Sequence, residues 1–222
     1  MDDERIGIAE EVGAKKAFVW ALDWPGWCRG GRSPVLAIEA LIDHGPRYAR
    51  VAEVAGEAVP DVSAHDLVTV LSVPGGSGTD FGVPSTITDD DRRAVDDAGA
   101  DRLVRIVGAA WQVLDAAAAT SPAELRKGPR GGGRDRDKMI RHVLEADHAY
   151  AREIGVRHRP PDPGDRAAIE AERAAMLDVL RRPSDGSPLA DRKWTTRYAA
   201  RRIAWHALDH AWEMEDRADV AP

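Results

Sequence analysis

Apolar residues recur at helical spacing through the second half of the chain. Apolar side chains return about every three to four positions over residues 103–114, which predicts an amphipathic helix ending near Ala119. Thr88 and Asp91 resemble a capping arrangement, so we expect this helix to begin near Thr88. Three more segments are predicted to be helical: about 134–154, 165–180 and 193–220. Four such helices with modest linkers, including 120–133, predict a four-helix bundle.

The first part of the chain has a different pattern. Residues 17–22 and 67–73 are short runs rich in aromatic and β-branched side chains, which favour strands. Between them, Ser33 and Pro34 are typical of a helix start, with serine as N-cap and proline in the first turn. Residues 1–14 are charged and interrupted by glycine, and are expected to form a loose arm.

These two patterns meet near residue 85. We therefore predict an α+β protein, in which a small α/β domain over residues 1–85 precedes an up-down four-helix bundle over 86–222. No internal repeat is apparent.

Composition narrows the function classes. The chain of 222 residues carries a formal net charge of −7, which argues against nonspecific nucleic-acid binding. Its single cysteine, Cys28, excludes an intramolecular disulfide and a multi-cysteine zinc site. No signal peptide and no long apolar run are visible, so we expect a cytoplasmic protein without a membrane partner.

The last predicted helix carries a candidate metal-binding pair. His206 and His210 are four residues apart, so both imidazoles project from one helix face about one turn apart. Two imidazoles at this spacing can hold a divalent transition metal, and Asp209 or Glu213 can act as a ligand, orient a ligand or shuttle a proton. The alternatives are a solvated pair, or a buried pair with hydrogen-bonding partners.

A third ligand is expected on the second long helix of the predicted bundle, which carries His142 and His148. These two residues are six positions apart, about 240° around a helix, so both cannot face one metal. His142 lies nearer the apolar stripe of Met139 and Val143, and we select it for the core, with His148 as a surface residue. The alternative is that both are exposed.

At these residues the chain resembles the DinB-like metal-binding superfamily, from about residue 88 to 218. The last helix carries RRIAWHALDHAWE at 201–213, preceded by KWTTRY at 193–198, which is similar to a bacterial branch of that family. The resemblance implies a four-helix bundle with His142, His206 and His210 on a divalent metal. Some members of the family use the metal to activate a low-molecular-weight thiol for transfer or isomerisation.

The first ~80 residues resemble, more faintly, a HicB-type α/β domain. The similar part is the strand, then DWPGW at 23–27, then the helix from Ser33. A partner toxin and a DNA-binding tail are not visible, so an accessory role is expected for this domain.

Two functions follow as hypotheses. In the first, zinc or nickel on three histidines activates water or a thiol, in a transferase or hydrolase acting on a small molecule. Arg201 and Arg202 can bind an anionic substrate there, although surface salt bridging suits at least one of them. In the second, the HicB-like part binds a protein partner and the bundle is a scaffold. A third, purely structural hypothesis is a bundle stabilised by the metal, with the site closed by a carboxylate such as Glu213. Bundles of this kind often pair, which makes a homodimer an expectation without a named interface.

Overall fold

The computed structural model describes residues 5–58, 66–128 and 132–218, and it has the expected mixed α+β class. The strands are β1 (Ile6–Val12), β2 (Ala17–Ala21), β3 (Cys28–Gly31) and β4 (Leu67–Pro74). The helices are α1 (Pro34–Asp43), α2 (Gly45–Val54), α3 (Ser77–Phe81), α4 (Asp97–Thr120), α5 (Arg136–Glu153), α6 (Arg166–Leu180) and α7 (Thr196–Arg217). Residues 129–131 of the predicted linker and 219–220 of the last predicted helix lie outside the described residues.

The prediction of a loose arm over residues 1–14 is wrong for Ile6–Val12, and residues 1–4 lie outside the described residues. Ile6–Val12 is a central strand of a sheet with the order β3-β2-β1-β4, antiparallel to β2 and parallel to β4. Its Glu11 is fully buried and accepts backbone hydrogen bonds from Ser85 at 3.2 Å and Thr86 at 3.0 Å. A charged residue inside a strand obscured the strand pattern, because its partners lie more than 70 residues away along the chain.

Strand β2 is buried on both faces of the sheet. Phe18 and Trp20 form a small apolar cluster with Trp205 of α7, and the Phe18 and Trp205 rings meet edge to face at 6.0 Å. Val19, on the opposite face, belongs to the main core together with Leu41 of α1. Alternating side chains therefore attach the sheet to α7 on one face and to α1 on the other.

The four long helices pack in a ring of contacts. Helix α7 contacts α4 and α5, and α6 also contacts α4 and α5. Apolar faces at helical spacing produce this arrangement, as the sequence pattern predicts. The up-down DinB-like topology stays a prediction.

The first of these helices begins later than predicted. Helix α4 starts at Asp97, where the Asp96 side chain accepts a hydrogen bond from Gly99 N at 2.8 Å and so caps the helix. Thr88 does pair with Asp91, through Thr88 N to Asp91 Oδ2 at 2.8 Å, but this pair stabilises a short 3-10 turn. A local capping pattern cannot distinguish a single turn from a long helix.

One core runs across the predicted domain boundary near residue 85. Its main cluster joins Ile8 and Val19 of the sheet with Ile106 and Leu208 of the long helices.

Within the described residues, α4 is the one helix long and apolar enough to cross a membrane, and half of that stretch is buried inside the protein. The predicted domain boundary and the cytoplasmic location stay predictions.

The turn before β3 packs directly on α7. Gly26 has φ +91°, a conformation that favours glycine, and a Cβ there would lie 2.8 Å from Cδ1 of Leu208. The Pro25–Gly26 turn therefore fixes α7 against the sheet at the level of the two α7 histidines.

Candidate metal centre

Two helices bring three histidines together. His142 lies on α5, and His206 and His210 lie one turn apart on α7. One ligand nitrogen from each ring lies within 4.8 Å of the other two. The ring centroid of His142 is 5.1 Å from that of His206 and 5.0 Å from that of His210, and the two α7 rings are 4.7 Å apart. These are the three histidines that the sequence analysis selected, and we call them the three-histidine cluster.

Helix α7 is held firmly enough to position two of these rings. At its start the Thr195 hydroxyl accepts a hydrogen bond from Tyr198 N at 3.3 Å, which caps the helix. The same hydroxyl donates to the carbonyl oxygen of Asp91 at 2.5 Å. Further along, His206 and His210 are only 6% and 8% exposed. The rings are therefore packed inside the protein, which contradicts the solvated alternative.

The surroundings favour neutral imidazoles. Burial, followed by the neighbouring His210 and Arg202, lowers the pKa of His206 to about 2. Burial, followed by Arg134, also lowers the pKa of His142. A neutral imidazole keeps the lone pair that a metal ion needs, so both rings are able to coordinate at neutral pH.

Glu213 positions one of the imidazoles. His210 Nδ1 donates to Glu213 Oε2 at 3.0 Å, since an ionised carboxylate can only accept a hydrogen bond. This hydrogen bond, together with that from Arg217 at 2.6 Å and against the opposing effect of burial, lowers the pKa of Glu213. The Nε2 lone pair of His210 is then free to coordinate. A carboxylate that orients a ligand histidine in this way is a common partner in metal sites.

The donor set fits a divalent transition metal. His206 Nδ1 is buried and has no hydrogen-bond partner among the described residues, so no protein group occupies this nitrogen. Around a tetrahedral zinc with Zn–N bonds of about 2.1 Å, ligand nitrogens lie roughly 3.4 Å apart. The nitrogens of the cluster lie within 4.8 Å of one another, so they need to approach by at most about 1.4 Å. Three imidazoles leave at least one coordination position for water or substrate.

Asp209 pairs with an arginine of the sheet. Its carboxylate accepts a hydrogen bond from Arg29 Nη1 of β3 at 3.0 Å. The ion pair joins residues 180 positions apart and fastens α7 to the sheet. The Asp209 carboxylate thus already has a partner on a neighbouring strand, and its expected role at the metal stays a prediction.

The adjacent arginines Arg201 and Arg202 have opposite environments. Arg201 is buried and forms hydrogen bonds from Nε and Nη2 to the Asp91 carboxylate at 3.1 and 2.7 Å. Arg202 is also buried, at 8% exposed, but its Nη1 has no hydrogen-bond partner within the described part of the chain. Neither residue is in a surface salt bridge, contrary to the expectation for at least one of them.

His148 is partly buried, rather than fully exposed at the surface. Its side chain is 16% exposed, and Nδ1 lies 2.7 Å from Oε1 of the buried Glu172 on α6. It therefore faces α6 while His142 faces α7, as the angle of about 240° between them requires.

Sequence reasoning missed one residue beside the cluster. The Tyr150 ring lies 5.7 Å from the His206 ring and 5.3 Å from the guanidinium carbon of Arg202. Tyr150 is eight residues after His142 on α5, and this spacing was the available signal for placing it on a similar face.

Two surface cavities of about 400 and 450 Å³ adjoin α5 elsewhere. Both include His148 in their walls, and the larger one is lined by four arginines: Arg152, Arg157, Arg159 and Arg192. Neither includes a member of the three-histidine cluster, so the chemistry that the imidazoles offer lies away from these cavities.

Comparisons of the chain with protein-family models, with curated proteins and with solved structures found no match.

Proposed function

We propose that this protein binds one divalent transition metal ion, zinc or nickel, through His142, His206 and His210. The observation that carries the proposal is the convergence of three imidazole nitrogens within 4.8 Å from two separate helices. Their burial, the neutral state of His206 and the unpartnered His206 Nδ1 all support it.

The proposed activity is transfer or hydrolysis on a small molecule. A metal held by three neutral imidazoles lowers the pKa of a bound water or thiol and makes it nucleophilic near neutral pH. Glu213 orients His210 through the 3.0 Å hydrogen bond. The resemblance to DinB-like proteins supports a thiol as one such ligand.

A purely structural metal is the competing interpretation. It requires a fourth protein ligand, and Glu213 was the expected one. Glu213 already accepts hydrogen bonds from His210 and Arg217, so it is committed to orienting a ligand. This arrangement favours an open coordination position and hence chemistry.

Metal analysis of the tag-free protein tests the proposal. We expect about one zinc or nickel per chain after purification and dialysis, measured by mass spectrometry of the elements. His206→Ala and His142→Ala are expected to lose it, because two imidazoles bind far more weakly than three. His158→Ala, which changes an exposed histidine outside the cluster, is the matched control and keeps the metal. Full metal content in folded His206→Ala protein would refute the proposal.

The open coordination position of the metal is tested in a separate experiment. Cobalt-substituted protein is expected to change its visible absorption spectrum when a small thiol such as cysteamine is added, because the thiolate enters the cobalt coordination sphere. An unchanged spectrum at millimolar thiol would indicate a closed, structural site and would argue against transfer chemistry.

A further inference from the structure

Arg202 is a buried cation without a counter-charge. The residue is only 8% exposed. Within the parts of the chain that the structure describes, no carboxylate forms an ion pair with it and its Nη1 has no hydrogen-bond partner. Buried guanidinium groups are normally paired, because leaving one charge desolvated and unmatched is costly. Neighbouring Arg201 shows the normal solution, with Asp91 at 2.7 Å.

Aromatic rings hold the guanidinium in place. Its carbon atom lies 4.5 Å from the Trp205 ring and 5.3 Å from the Tyr150 ring. Such contacts stabilise a cation through the ring faces but satisfy none of its N–H donors. The edge of the guanidinium, which carries those donors, is left for another partner.

Two unpartnered donors lie on the same turn of α7. Besides Arg202 Nη1, the buried atom Trp205 Nε1 has no hydrogen-bond partner in the described chain. Both atoms can only donate, so the partner that each lacks is an acceptor.

This turn adjoins the three-histidine cluster. Arg202 and His206 are four residues apart on α7, so they lie one above the other on the same helix face. Both contact the same two rings, with His206 5.7 Å from Tyr150 and 6.0 Å from Trp205. Tyr150 and His142 are partly exposed, so this region reaches the surface.

We infer that Arg202 binds the carboxylate of a small organic acid whose remaining atoms lie toward the three-histidine cluster. The inference rests on the proposed metal function, since it makes the bound acid the substrate of that site. It names the substrate class as a small monocarboxylate.

The chemistry of the site favours a carboxylate over a phosphate. The planar guanidinium fork matches two carboxylate oxygens, and its single charge balances one negative charge. Arg134, another cation whose charge acts on His142 and His206, is exposed.

Acetate is the probe for the test. We expect zinc-loaded protein to bind acetate, with the affinity measured by proton NMR titration, and Arg202→Met to weaken it at least about tenfold, as loss of charge-assisted hydrogen bonds predicts. In cobalt-loaded protein the acetate methyl signal is expected to broaden strongly, because the ion lies near. Arg202→Lys keeps the charge but loses the planar fork, and should bind with intermediate affinity.

Metal content is measured on every variant, so that the two proposals fail separately. Arg202→Met protein that keeps its metal and binds acetate as well as the parent would overturn the Arg202 subsite alone. Parent protein without metal would overturn the proposed function and, with it, the role of the acid as substrate.

Two controls define specificity. Arg134→Met removes an exposed cation near the histidines and is expected to change acetate affinity less than about threefold, because exposed charges are screened. An equal loss of acetate affinity in Arg202→Met and Arg134→Met would overturn the inference, because it would show that acetate responds to the general positive charge of the region and not to Arg202 in particular. Inorganic phosphate that binds more tightly than acetate would overturn the carboxylate assignment.

Discussion

Asp147 on α5 should make the stability of this protein fall between pH 4 and pH 7. Its side chain is buried, and Oδ2 accepts a hydrogen bond from Trp111 Nε1 of α4 at 2.9 Å. Burial raises the pKa of this carboxyl to about 7, against the opposing effects of Arg173 and the Trp111 hydrogen bond. The acid thus stays protonated in the folded protein up to near-neutral pH.

The magnitude follows from proton linkage. The unfolded chain releases the Asp147 proton near the ordinary pKa of 3.8, whereas the folded chain holds it until about pH 7. Between these values the folded state binds more protons, so the free energy of unfolding decreases as pH rises. A difference of about three pH units at about 1.4 kcal/mol each gives a loss of about 4 kcal/mol.

Asp147→Asn isolates this contribution, because asparagine resembles the protonated acid and does not ionise. Urea unfolding of metal-free protein, followed by circular dichroism from pH 4 to 8, gives the stability difference between the two proteins. We expect them to be nearly equal at pH 4, and the variant to be more stable by several kcal/mol at pH 8.

Comparing variant with parent cancels the titration of the histidines, which affects both proteins. Asp137→Asn, an exposed position on the same helix, is the control and should show no such trend. A stability difference that does not change with pH, or a parent protein that is the more stable one at pH 8, would refute the reasoning about Asp147.

Three further predictions follow from other parts of the structure. Glu213→Gln should weaken metal affinity by roughly 10- to 100-fold, because Glu213 orients a ligand histidine. A chelator competition assay measures this affinity, and Asp209→Asn is the control that should leave it unchanged. Cys28 is buried, and burial raises the pKa of its thiol to about 12. Ellman's reagent at pH 8 should therefore label Cys28 only after unfolding, and rapid labelling of the folded protein would contradict its burial. Arg201→Met should lower the free energy of unfolding, measured with urea, by roughly 3–5 kcal/mol, because it leaves the Asp91 carboxylate buried without its partner. A decrease below about 1 kcal/mol would contradict this prediction.

Local patterns predicted the helices that carry the site. Helices α5, α6 and α7 begin and end within a few residues of the predicted segments. The pairing of His206 with His210 on one face, and the separation of His142 from His148, also follow from helix geometry. These features depend on residues close together in sequence, so the sequence is sufficient to predict them.

The missed elements depend on distant contacts. Strand β1 was hidden by Glu11, whose burial depends on hydrogen bonds from Ser85 and Thr86 across the fold. The start of α4 was misplaced because Thr88 and Asp91 form a capping pair without a helix behind it. In both cases the local sequence pattern was present, but contacts with distant parts of the chain determined which structure it formed.

The tertiary structure also decided which polar residues remain available at the site. Asp209 and Glu213 are equivalent candidates by spacing, but Arg29 of β3 pairs with Asp209 while Glu213 stays beside His210. Likewise, Asp91 pairs with Arg201, while Arg202 Nη1 has no hydrogen-bond partner among the described residues. Helical periodicity is a property of neighbouring residues, so the sequence alone determined which side chains share a face. Burial and charge pairing are properties of the packed chain, so only the fold could determine which of those side chains remain free to bind a ligand.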